Sequence, residues 1–137
     1  MTDYFDLNMT DAELREVSNL ALAHVGDAVY ELMIRTYLCK NGGVTSKELH
    51  TSAITYVSAP AQARAAGVIE EALTSEELAV FRRGRNARVN SVPHGATISQ
   101  YHAATGVETL FGWLYLRGMR ERLNVLFGMI MKETDGN

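Results

Sequence analysis

The chain has 137 residues, 47% of them apolar and 21% charged, with a formal net charge of −3. That length suits one domain and leaves little room for a second. A domain of this size buries roughly two-thirds of its unfolded surface, so its core needs no disulfide or structural metal. The single cysteine, Cys39, excludes an intramolecular disulfide and points to a reducing compartment. It lies near a helix end among apolar neighbours, where a packed thiol is expected.

No apolar run is long enough to cross a membrane, and Met1–Asp6 lacks the basic-then-apolar order of a secretory leader. A cytoplasmic location is expected. The negative charge argues weakly against a nucleic-acid partner, but local distribution matters more than the sum.

Four segments fit the capping box S/T-x-x-E/Q: Thr10 to Glu13, Thr45 to Glu48, Thr74 to Glu77 and Thr97 to Gln100. Each precedes apolar residues at helical spacing. Ser58-Ala59-Pro60 marks a fifth start, with proline where no N–H is needed. The pattern predicts helices over 11–16, 18–40, 46–55, 59–72, 75–84, 97–117 and 119–132. The second stops at Asn41-Gly42-Gly43. Ile54-Thr55-Tyr56-Val57 is the one β-branched stretch, too short and isolated to build a sheet. The expectation is an all-α helical bundle, one domain over 1–137, with one long irregular stretch near 85–96.

Two helices carry an acid on an apolar stripe. In 18–40 the stripe reads Leu20, Ala23, Asp27, Tyr30, Ile34, Tyr37; in 97–117 it reads Tyr101, Ala104, Glu108, Phe111, Tyr115. A carboxylate there loses solvation and is tolerated mainly when paired or bound to a cation. Gly26 precedes Asp27, and Gly106 and Gly112 flank Glu108. Glycine weakens a helix and is better explained where two backbones approach closely. Two converging carboxylates suit Mg²⁺, which prefers oxygen ligands and keeps waters. The competing explanation is structural ion pairing, Asp27 with Arg35 or His24 and Glu108 with an arginine. Glu31, one turn beyond Asp27, is expected to be solvated or paired with Arg35.

The basic residues are unevenly placed. Arg82-Arg83-Gly84-Arg85-Asn86-Ala87-Arg88 holds four of the thirteen. Arginines leading into a polar loop suit phosphate and 2′-hydroxyl contacts with RNA; cations at a helix C-terminus favoured by the dipole explain them equally well. Thr45, Ser46 and Lys47, and Ser58 with Gln62, are candidates for smaller polar contacts, with helix capping as the competing explanation of the hydroxyls. His24, a turn from Asp27, is a candidate to orient it, and His50 and His102 are candidates to face the groove; none has metal-ligand spacing.

Leu22-Ala23-His24-Val25-Gly26-Asp27-Ala28-Val29-Tyr30-Glu31 resembles the signature helix of the ribonuclease III family, and Thr105-Gly106-Val107-Glu108-Thr109-Leu110-Phe111-Gly112 resembles its second acidic motif. The closer resemblance is to the Mini-ribonuclease III branch, which lacks a double-stranded-RNA-binding domain. It is carried as well by Leu20–Ala23, Tyr56 to Ala59, Arg82 to Ala87, and Tyr101 with Glu108.

The resemblance implies a Mg²⁺-dependent endoribonuclease that cuts double-stranded RNA, with Mn²⁺ as a candidate substitute. Asp27 and Glu108 would be both metal ligands and catalytic residues; Arg82, Arg83, Arg85, Asn86, Arg88, Ser46 and Lys47 would contact RNA. It further implies 5′-phosphate and 3′-hydroxyl ends, short 3′ overhangs and precursor ribosomal RNA (23S) as substrate. A homodimer is implied, with the signature helices near its interface and a ribosomal protein as a candidate partner. Two sites on a twofold axis match the pseudo-symmetry of a duplex, and Tyr30, Met33, Tyr37, Tyr56 and Met119 exceed what a small monomer core requires. The chain departs from full-length ribonuclease III at Leu20, Ala23 and Thr105, where that family carries further acids. This thinning motivates an alternative, a catalytically silent duplex-RNA-binding module, and leaves the metal count open.

Overall fold

All four threonine-led boxes open helices in the computed structural model, which describes residues 1–43, 45–87 and 94–135. In chain order the helices are α1 (Asp11–Arg15), α2 (Asn19–Lys40), α3 (Ser46–Val57), α4 (Ala59–Ile69), α5 (Ser75–Arg85), α6 (Ile98–Leu116) and α7 (Arg120–Asp135). A 3-10 turn, Glu70–Ala72, follows α4. At each box the threonine hydroxyl accepts the backbone N–H three residues on, and that residue's side chain accepts the threonine N–H. Two otherwise orphaned donors are thereby satisfied at each start.

Ser18 and Ser58 cap α2 and α4 in the simpler one-way manner. No strand occurs among the described residues, as the all-α reading requires. Ile54–Val57 continues α3 as helix, and Tyr56 there donates a 2.9 Å hydrogen bond to Asp135 at the end of α7. No described helix is long and apolar enough to cross a membrane.

Helix α6 runs through the centre and touches α2, α4, α5 and α7. From Ala104 to Leu114 every residue is buried except Glu108. A helix apolar all round belongs inside a domain, so Glu108 is the one point along that stretch where α6 meets solvent. The ring of Tyr30 packs against Phe111 at 5.1 Å and Phe127 at 6.1 Å between centroids. Tyr30 is thus a core residue, only 1% exposed, rather than surplus surface. Met33, Tyr37 and Tyr56 are half-buried and Met119 is exposed.

The buried face of α2 is Leu22, Ala23, Gly26, Tyr30 and Ile34. Leu20, expected on that stripe, is 47% exposed. Asp27 is exposed too, one position round the helix from the contact made by Gly26. A methyl added to Gly26 would lie 1.6 Å from the Glu108 carbonyl oxygen, and one on Gly112 would lie 2.0 Å from that of Leu22. These two glycines let the backbones of α2 and α6 touch. Gly106 serves a different contact, facing Phe81 on α5. Cys39 is exposed, contrary to the packed thiol expected, because the last turn of α2 runs past the buried face.

Candidate active site

The α2–α6 crossing sets the site. Gly26 seats α2 against the backbone at Glu108, so the next residue, Asp27, emerges beside the Glu108 side chain, and the two carboxyls hydrogen-bond to each other. Burial, then the charge of Asp27, push the Glu108 carboxyl up to about 8. Both effects disfavour its ionised form in the metal-free protein, and a divalent cation beside the pair would favour it. The Gln62 amide, on α4, donates to Glu108 and pulls in the opposite direction. Burial and the nearby Glu108 charge also raise the Tyr30 phenol well above its ordinary range.

Among the described residues, ion pairing does not account for the two acids. Arg35 goes to Glu31, as the spacing of those two allowed. Among the described residues neither Asp27 nor Glu108 forms an ion pair with a lysine, arginine or histidine. No third His, Cys, Asp or Glu among the described residues completes a cluster of three. Two adjacent carboxyls, uncompensated by any described protein cation and reached from solvent on the Asp27 side, fit a hard divalent ion that retains most of its waters.

Asp27 opens onto a groove of about 760 Å³ that also includes His24, Glu31, Leu32, Tyr115 and Asn124. His24 is exposed there and makes no hydrogen bond to Asp27. His50 lies in another groove with Glu31, Arg35 and Ser46. His102 is half-buried, with its Nδ1 lacking a partner.

The described residues of the basic segment differ in their surroundings. Arg82, Arg83 and Asn86 are exposed. Arg85 is half-buried, its guanidinium 5.6 Å from the centroid of the Phe81 ring. Arg83 lines a separate groove with Asp11, Asn19, Glu76 and Trp113, which shares no residue with the groove at Asp27. Arg88 lies outside the described residues. Ser46 and Lys47 are exposed at the start of α3. Gln62, expected as a surface contact, is 2% exposed and turned inward. The sequence carried no signal for that, since alanines surround it on α4.

A family model described as the ribonuclease III domain matches residues 20–119. The chain is 41% identical over 123 residues to a Mini-ribonuclease 3 from Clostridium tetani, covering 89% of this chain and 82% of that protein. It is 42% identical over 124 residues to a Mini-ribonuclease 3 from Enterococcus faecalis, covering 89% and 94%. A crystal structure of a protein from Fusobacterium nucleatum superposes with a TM-score of 0.80 at 29% identity, over 88% of this chain and 93% of that one. The chain belongs to the ribonuclease III family, in its Mini-ribonuclease III branch, and is an endoribonuclease.

Proposed function

We propose that the chain hydrolyses phosphodiesters in duplex RNA at a divalent-metal site formed by Asp27 and Glu108. The observation that supports this best is the meeting of these two acids, from α2 and α6, with no described protein cation beside them. Mg²⁺ is the proposed ion, with Mn²⁺ as its substitute. Bound there, it would supply an activated water and offset charge on the phosphoryl oxygens. The protein's own part is to hold two oxygen ligands at a rigid helix crossing and to expose Asp27 toward the RNA.

The proposed RNA contacts are Arg82, Arg85, Asn86, Arg88, Ser46 and Lys47, with Arg83 in a lesser role because its groove lies apart. Precursor ribosomal RNA is the proposed substrate and the cytoplasm the proposed setting. The active form is proposed to be a homodimer. The groove beside Asp27 is lined by apolar groups including Leu32, which is 57% exposed, and Phe5, 71% exposed. A second copy packed against Leu32 and Phe5, with Asp27 left open, would place two sites along one duplex.

The test is cleavage of long duplex RNA by pure protein with Mg²⁺ and then with EDTA. Fragments are expected only with metal, and Asp27→Asn should yield none. Cleavage at the wild-type rate by folded Asp27→Asn would remove Asp27 from the site.

A further inference from the structure

Gln62 is the one polar residue among the buried positions of α4, which otherwise are Ala61, Ala65, Ala66 and Ile69. Burying an amide is costly unless its donors and acceptor find partners. The Gln62 amide spends a donor on the Glu108 carboxyl. The small side chains of α4 let it pack against α6, as their contact shows, and Ser58 and Pro60 fix where α4 begins. Gln62 therefore approaches Glu108 from α4, while Asp27 approaches it from α2.

The choice of side chain is informative. Lysine or arginine at this position would neutralise Glu108 and compete with a cation. Glutamine donates a hydrogen bond without bringing charge, so it orients a carboxylate and leaves its negative charge available. A carboxylate has two oxygens and about four acceptor sites, so one held by an amide leaves others free for an ion.

We propose that Gln62 is a positioning residue that holds the Glu108 carboxylate in the orientation from which it ligates the divalent cation. The inference rests on the reading of Asp27 and Glu108 as metal ligands. Hydrogen-bond partners of ligating carboxylates commonly matter about 10- to 100-fold in metal affinity.

The test is Mn²⁺ binding to the full chain without RNA, followed by calorimetry and by loss of the free-ion electron paramagnetic resonance signal. Gln62→Met keeps length and approximate volume but removes the donor. It is expected to weaken the Mn²⁺ dissociation constant by about 10- to 100-fold, while kcat at saturating metal falls much less. A purely structural role would instead lower the melting temperature in EDTA and leave metal affinity of the folded fraction unchanged. Folded Gln62→Met that binds Mn²⁺ within twofold of wild type overturns the proposal and leaves the metal site standing. Wild-type protein that binds no Mn²⁺ overturns both. Should the variant not fold, the wild-type chain still decides: the Gln62 side-chain NH₂ resonances are expected to shift on Mg²⁺ titration, and unmoved resonances overturn the proposal.

Discussion

Gly26 and the carbonyl of Glu108 are so close that a methyl on Gly26 would sit 1.6 Å from that oxygen. The helix crossing and the candidate metal site are therefore one feature. Gly26→Ala must push α2 away from α6, and with it Asp27 from Glu108. Overpacking of this kind costs about 1–3 kcal/mol, and contact with backbone rather than a flexible side chain places it at the upper end. The expected result is a lower urea midpoint together with loss of metal-dependent cleavage in the fraction that folds. Wild-type stability and activity in Gly26→Ala would show that the helices do not touch there.

Glu108→Gln should separate function from stability. It removes a buried acid held beside a second acid, so metal-free protein should gain about 1 kcal/mol, the scale usual when a strained functional group is replaced. Cleavage should be lost. Thermal melts in EDTA beside cleavage assays in Mg²⁺ check both halves; a destabilised Glu108→Gln would mean that the pair is favourable without metal.

Away from the site, Arg122 donates at 2.7 and 2.8 Å to Glu77, which is 4% exposed. Burial alone would raise the Glu77 carboxyl; the hydrogen bonds from Arg122 and Thr74 and the Arg122 charge outweigh it and hold it below its ordinary 4.5. The unfolded chain thus binds the proton more readily than the folded one. The contribution to stability is present above about pH 4.5 and is lost as pH falls through the lowered folded value. Arg122→Ala leaves burial unopposed by a cation and should cost about 2 kcal/mol at neutral pH, less than a fully buried pair because the guanidinium is partly exposed. It should also flatten or reverse the pH dependence of stability near pH 4–5, as measured by urea denaturation at several pH values.

The arginines should not be equivalent. Arg82→Ala is expected to weaken duplex RNA binding and lower the slope of log affinity against log salt by about 0.7–0.9, one phosphate contact. Arg83→Ala should change the slope less, since Arg83 lies in the groove with Asp11 and Glu76. Equal effects from both would mean that the RNA path crosses that groove as well.

The sequence was most readable where local chemistry decides structure. A threonine with an acid or amide three residues on sets a helix start without tertiary help, and all four such starts are present. Glycines beside Asp27 and Glu108 also spoke plainly, since little but close backbone contact explains them. Stripe assignments were less readable. On α2 the side chain-free Gly26 makes the contact, which turns Leu20 and Asp27 outward. On α6 nearly every position from Ala104 to Leu114 is buried, so the stripe through Glu108 is only part of what the helix buries. Gln62 was misplaced for a related reason: alanines on all sides of α4 leave no periodicity to mark which face is inside. Its partner, Glu108, lies on a helix distant in sequence, and only packing brings them together.

The most direct measurement is the structure of the protein crystallised or soaked with Mn²⁺, located by its anomalous scattering. The account predicts one peak bridging Asp27 and Glu108, with an oxygen of each at about 2.0–2.2 Å and waters completing the octahedron. A well-ordered site with both carboxyls in place and no ion between them, in crystals whose protein cleaves duplex RNA, would contradict it.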